Sequence, residues 1–239
     1  MKKLILSFLT IVAFATTGFS QQPISDPNAQ VREAKDFHAI SVSNAFDVYL
    51  TQGNEEKVAV SAADNKDLTY IKVEVRNGVL EIGWDQKGKW ARGNKKLKAY
   101  ISFKKIDKLT ASGACDVFIV GTLTADDLKI SLSGASDLKE GKITAKDLTV
   151  DMSGASNMKI SGVTTNLKLD LSGACSFRGF DLSTNYCDVN ASGASDIKIT
   201  VNKELSADLS GASDVDYKGT GLIRNIKTSG ASNVSKTGS

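Results

Sequence analysis

The chain has 239 residues, 41% of them hydrophobic and only 7% aromatic, with 30 Lys and Arg against 27 Asp and Glu. Without the N-terminal lysines Lys2 and Lys3 the formal charge falls from +3 to +1. A near-neutral chain excludes nucleic acid as the expected partner, and about 200 residues suffice for one elongated domain with a substantial core.

Residues 1–20 carry two lysines, an apolar run from Leu4 to Phe14, and Gly18-Phe19-Ser20 before Gln21. That is the pattern of a secretory signal peptide with small residues at the cleavage positions. The apolar run is short for a membrane span. The mature chain is therefore expected to lack a transmembrane segment and to be exported, to the periplasm, the outer-membrane surface or the extracellular space. No Cys follows the cut, which argues against a lipoprotein anchor. Residues 21–36 hold both prolines, Pro23 and Pro27, and read as a flexible leader.

Residues 37–239 read as one domain, irregular over 37–105 and regular over 106–239. Phe37 to Gly53 is a degenerate first unit, in which Ser43-Asn44-Ala45-Phe46-Asp47 matches a later Ser-Gly-Ala-Ser-Asp. Alternating apolar residues predict strands at Val58–Val60, Ile71–Val75, Val79–Ile82 and Leu97–Ile101. The stretch 85–96 departs most from this pattern, being polar and basic around Trp90, with Trp84 at its edge.

From residue 106 a tetrad Ser-Gly-Ala-Ser/Cys recurs seven times, with glycines at 113, 134, 154, 173, 193, 211 and 230, in steps of 21, 20, 19, 20, 18 and 19. A fixed period in this range is the mark of a repeat architecture. Four residues before each glycine stand Leu109, Ile130, Val150, Leu169, Val189, Ala207 and Ile226; four after stand Val117, Leu138, Met158, Phe177, Ile197, Val215 and Val234. Apolar residues at even offsets and polar ones at odd offsets give strand periodicity with one face buried. A unit of about 20 residues buries that face only by stacking on its neighbours. The expected fold is all-β, a right-handed parallel β-helix with coils of about 20 residues. Parity also places the glycine and the Ser or Cys two residues later inward, in a crowded corner where Ala155→Leu is expected to be costly, with the Ser hydroxyls bonding along the stack.

The signal peptide, the opening F-x-x-I-x-V-x-x-A-x-x-V at Phe37–Val48 and the serial S-G-A-S-D-L units resemble the bacterial "putative auto-transporter adhesin" head domains, the GIN domain family (DUF2807). The resemblance covers essentially the whole mature chain. It implies a β-helical envelope protein of the kind common in Bacteroidetes, adhesive by analogy and without established activity.

Several columns of residues bear on function. Three after the glycine lie Asp116, Asp137, Asn157, Ser176, Asp196, Asp214 and Asn233; three before it lie Ser131, Asp151, Asp170, Asn190 and Asp208. Stacked carboxylates repel, and Ca²⁺ is the one cofactor that would relieve them, although Asp and Asn at strand ends also serve the local backbone. Five after the glycine runs a basic column, Lys139, Lys159, Arg178 and Lys198, suited either to surface ion pairs or to an anionic glycan. The candidate ligand-binding residues are Trp84, Lys87, Trp90 and Arg92, aromatic and basic groups in and beside the irregular stretch. No catalytic or metal-binding set is predicted: His38 is the only histidine, far from nearly all the serines. Cys115 and Cys175 sit three coils apart, roughly 14 Å by strand spacing, beyond disulfide reach; Cys187 occupies an inward position, and all three read as buried thiols. The sequence thus favours a non-enzymatic scaffold, with a glycan or cell-surface component as partner. A carbohydrate-active enzyme on acidic polysaccharide, or a module that self-associates through its C-terminal coil, remain as alternatives.

Overall fold

The structure, a computed structural model, describes residues 26–85 and 96–238. The signal peptide, residues 21–25 and most of the irregular stretch, including Lys87, Trp90 and Arg92, lie outside the described residues. Strands β1 (Gln30–Arg32), β2 (Ala39–Val42), β3 (Phe46–Gln52) and β4 (Lys57–Ser61) precede a 3-10 turn at Asn65–Tyr70. Then come β5 (Ile71–Arg76), β6 (Val79–Trp84), β7 (Leu97–Phe103) and β8 (Lys108–Ala111). Five long tracks follow: β9 (Asp116–Leu132), β10 (Asp137–Gly154), β11 (Asn157–Gly173), β12 (Ser176–Gly193) and β13 (Asp196–Leu209). The chain closes with β14 (Asp214–Lys218), β15 (Leu222–Thr228) and β16 (Asn233–Lys236). The four strands predicted in the irregular part are β4, β5, β6 and β7.

These strands form a β-solenoid of about 6 turns. From β9 onward each coil lies parallel on the one before, in a register that pairs Asp137 with Asn157, Asn157 with Ser176 and Ser176 with Asp196. Inward side chains fill one continuous core: Ile130, Val150, Leu169, Val189 and Ala207 stack before the tetrad, and Val117, Leu138, Met158, Phe177 and Ile197 after it. At a second corner the buried Thr164 and Thr184 donate their hydroxyls to backbone carbonyls, Thr164 to Asn166 at 3.0 Å and Thr184 to Tyr186 at 3.1 Å. Both buried hydroxyls are thereby satisfied.

The irregular part breaks chain order. β2 lies between β6 and β8, and β3 between β7 and β9. The coil written first, 39–52, is therefore second in the stack, and the chain returns beneath it before resuming on top. The return uses a tight hairpin, β5 antiparallel to β6, turned at Asn77-Gly78 with both residues at positive φ (51° and 75°), the sequence such a turn favours. β4 adds antiparallel to β7, and β1 antiparallel to β4. These antiparallel strands finish the lower end of the stack, where a solenoid needs an atypical coil.

Two expectations need correction. Residues 26–36 are not a free leader: Asp26 accepts hydrogen bonds from Tyr100 (2.7 Å) and Ser61 (2.8 Å), β1 pairs with β4, and Ala34 and Phe37 are buried. Nor does the tetrad glycine face inward. Each Gly and Ala of the tetrad is exposed, and only the fourth residue (Cys115, Ser136, Ser156, Cys175, Ser195 and Ser213) is buried. The parity reading failed because the glycine leaves the strand conformation: Gly134 has φ 76° and Gly154 φ 77°.

The crowding is real but it falls on the backbone. A Cβ on Gly134 would sit 2.5 Å from the Gly113 carbonyl oxygen, and one on Gly154 would run into that of Gly134. Those carbonyls are in use, because the alanine N–H of each coil donates to the glycine carbonyl of the coil below: Ala135 to Gly113 (2.7 Å), Ala155 to Gly134 (2.8 Å) and Ala174 to Gly154 (2.7 Å). The buried hydroxyls bond mainly within their own turn, as Ser156 does to the Ser153 carbonyl at 3.0 Å. Ser136 does reach down the stack, accepting from the Cys115 N–H at 3.3 Å.

Candidate functional site

The tetrad corner is architecture, and the surfaces on either side of it carry the exposed chemistry. Before the corner a shallow groove of about 550 Å³ runs across five coils, lined by Ser131, Asp151, Asp170, Asn190 and Asp208 on one side and by the first serines of the tetrads on the other. Its carboxylates are largely answered within the fold. Lys129 bridges to Asp151 at 2.6 Å and Lys168 to Asp170 at 3.0 Å, while Asn190 donates to Asp170 at 2.9 Å. The hydrogen bond to Asp170 raises the Lys168 ammonium above its ordinary range. Lysines and amides thus supply the relief for which Ca²⁺ was considered. Among the described residues no group of three or more His, Cys, Asp or Glu is placed to hold a metal ion.

After the corner, the acidic and basic columns stand side by side on the outer face. Lys139 bridges to Asp137 at 2.6 Å and to Asp116 at 3.2 Å, and Lys198 to Asp196 at 3.5 Å. Partial burial pushes the Asp137 carboxyl up, but hydrogen bonds from Lys139 and Asn157 outweigh it and hold the group below the usual carboxylate range. Between these pairs the acidic column reads Asn157 and Ser176, and the cations beside them, Lys159 and Arg178, are exposed without an ion pair or hydrogen bond among the described residues.

The same column carries a feature that sequence reasoning missed. One coil below Lys139, across a register shift that pairs Phe118 with Glu140, stand Phe118, Tyr49 and Tyr100, in register across β9, β3 and β7. The rings stack, Tyr49 lying 5.1 Å from Phe118 at 12° and 5.2 Å from Tyr100 at 18°. The three are far apart in sequence, and the inverted order of the lower coils brings them together; aromatics in alternating runs were the only signal.

Trp84 is placed differently from expectation. It is only 9% exposed, its N–H donates to the Asn44 side-chain oxygen at 2.9 Å, and its ring lies against Tyr70. It packs at the rim of the core and does not stand out on a loop. Val42 pairs with Ile82 and Phe46 with Leu97, so the coil below stays in register on both sides of the turn that residues 43–45 make.

The remaining reactive groups are unassembled. His38 Nδ1 donates to the Asp107 carboxylate at 2.9 Å, with both side chains open to solvent. Cys115, Cys175 and Cys187 are free and buried, and burial pushes the Cys187 thiol well up.

A parallel solenoid whose repeat corner is a hydrogen-bonded glycine–alanine ladder and whose outer faces carry ordered polar columns is a repeat scaffold of the adhesin-head class. Residues 36–221 match the family described as "Putative auto-transporter adhesin, head GIN domain", and the chain belongs to that family. Solved structures share the fold. A "putative adhesin" from Bacteroides fragilis superposes with a TM-score of 0.79 at 23% identity, covering 87% of this chain and 96% of that one. A "putative adhesin" from Parabacteroides merdae gives 0.68 at 18% identity, covering 88% and 95%. A "putative lipid binding protein" from Parabacteroides distasonis gives 0.66 at 20% identity, covering 88% and 97%. No curated protein matches the chain.

Proposed function

We propose that this protein is an exported, non-enzymatic scaffold that adheres to a component of a cell surface, a glycan foremost. The observation that carries the reading is the strict register of its outer columns: like side chains recur at one strand spacing over successive coils. A surface with a repeat suits a polymer with a repeat, and rigid stacking means that little order is lost on binding. Membership of an adhesin-head family supports the same reading. Straight columns favour it over a carbohydrate-active enzyme, whose acids and bases would converge irregularly around a cleft. The stretch carrying Lys87, Trp90 and Arg92 is the proposed specific contact, with Trp84 as its buried anchor. Among the described residues no helix is long and apolar enough to cross a membrane; the periplasm, the outer-membrane surface and the extracellular space all accord with the proposal.

A glycan array probed with the purified protein, and with a variant in which residues 86–95 are replaced by a Gly-Ser linker, tests this. Binding to one class of glycan, reduced in the variant with strand circular dichroism intact, is expected; silence across the array would overturn it. A second reading, self-association, is favoured by the last coil, where β15 pairs only with β13 and β16 only with β14, leaving Leu222 74% and Ile223 50% exposed. A second copy seated there would show as a dimer mass in light scattering.

A further inference from the structure

The acidic column after the tetrad is interrupted at two successive coils in mid-array. Asp116 and Asp137 hold the position below them and Asp196 and Asp214 above, with Asn233 in the last coil, whereas Asn157 and Ser176 hold it in the middle, paired in register with each other and with the Asp on either side. The basic column beside it is not interrupted: Lys159 pairs in register with Arg178, and Arg178 with Lys198. Lys139 and Lys198 are answered by Asp137, Asp116 and Asp196, so those acids are already engaged. Two exposed cations about 4.8 Å apart by strand spacing are thus left without a counter-charge. They repel each other, and no contact among the described residues compensates.

We propose that this face binds an acidic polysaccharide, its carboxylate or sulfate groups held by Lys159 and Arg178 and its chain running along the solenoid axis. The proposal rests on the glycan-binding reading above and names the class of glycan. Arg178 offers a planar fork that meets an oxyanion with two hydrogen bonds, and Lys159 a compact charge beside it. Ser176, at the foot of Arg178, holds the one buried side-chain oxygen or nitrogen among the described residues that has no hydrogen-bond partner. Phe180 lies two residues further along the same face, half-buried beneath the Lys218 ammonium. From Lys198 to Phe118 is four coil steps, about 19 Å, with a register shift at the bulge between Leu138 and Gly141. That length fits several sugar units, and beyond the shift the half-buried Phe118 and Tyr49 offer the sugars an apolar surface.

The experiment uses the purified protein and polygalacturonate, with the fully methyl-esterified polymer as the neutral form of the same backbone and single-stranded DNA as an unrelated polyanion. The protein is expected to bind polygalacturonate, more weakly as salt is raised, and to bind neither the ester nor DNA measurably. The double variant Lys159→Gln/Arg178→Gln should lose at least tenfold in affinity with an unchanged melting temperature. Lys66→Gln/Lys105→Gln, which removes two exposed cations elsewhere, should change affinity less than twofold. Ser176→Asp, which restores the acid found in other coils, should weaken binding comparably without removing either cation. Equal losses in both double variants, binding to DNA as tight as to polygalacturonate, or no binding to polygalacturonate would overturn the proposal. Should the protein bind the ester or other neutral glycans alone, this inference falls and the adhesive reading stands; silence toward every glycan removes both.

Discussion

The first coil and the regular coils solve the same corner with different residues. In the array the corner residue is Gly at positive φ; in the first coil it is Asn44, at φ 79°. Its carbonyl does what a glycine carbonyl does higher up, accepting from the Ala114 N–H at 2.6 Å. Asn tolerates this backbone region better than most residues, so the dihedral alone does not demand Gly. What differs is the coil beneath. Under Gly134 or Gly154 lies another tetrad, whose carbonyl would meet a Cβ; beside Asn44 lies the end of β6, with no tetrad, and the Asn44 side chain accepts from the Trp84 backbone N–H. Stacking, more than turn geometry, makes the glycine obligatory.

Three substitutions break or sharpen this contrast. Gly154→Ala combines a left-handed backbone penalty of about 1–2 kcal/mol with a contact that forces neighbouring coils apart, worth about 1–3 kcal/mol. A loss of about 2–5 kcal/mol is expected in denaturant unfolding, and a loss below about 1 kcal/mol would mean the coils separate freely. Asn44→Ala keeps the space but removes the acceptor for Trp84, so about 1–2 kcal/mol is expected; a cost equal to that at Gly154 would erase the distinction. Ala155→Leu projects from an exposed position and should change stability by less than about 0.5 kcal/mol. A large loss there would restore the crowded inward corner that strand parity suggests.

Much of the fold was legible because a spacing near 20 and a period of two both survive in the residues themselves. The strands at β4, β5, β6 and β7 were legible for the same reason, while their order in the stack was not. Nothing in Phe46–Gln52 states that its upper neighbour is β9 and its lower neighbour β7, since pairing across more than forty residues leaves no local mark. The misplacement of Gly came from extending strand parity through a residue with positive φ, where alternation is reset. The basic column was readable, Lys159 and Arg178 included. Their lack of partners depends on Asn157 and Ser176 facing them, a relation that register alone establishes. Trp84 was read as a loop aromatic because burial at the rim depends on Tyr70 and Asn44 meeting it from separate strands.

Amide hydrogen exchange at Ala135, Ala155, Ala174, Ala194 and Ala212 tests the stacked ladder most directly. Each alanine has an exposed side chain and an N–H bonded to the glycine carbonyl one coil below, at 2.7 or 2.8 Å. The account predicts that these five amides exchange as slowly as those of the buried strand residues beside them, such as Val150 and Leu169. Exchange at the rate of a solvated surface turn would contradict it.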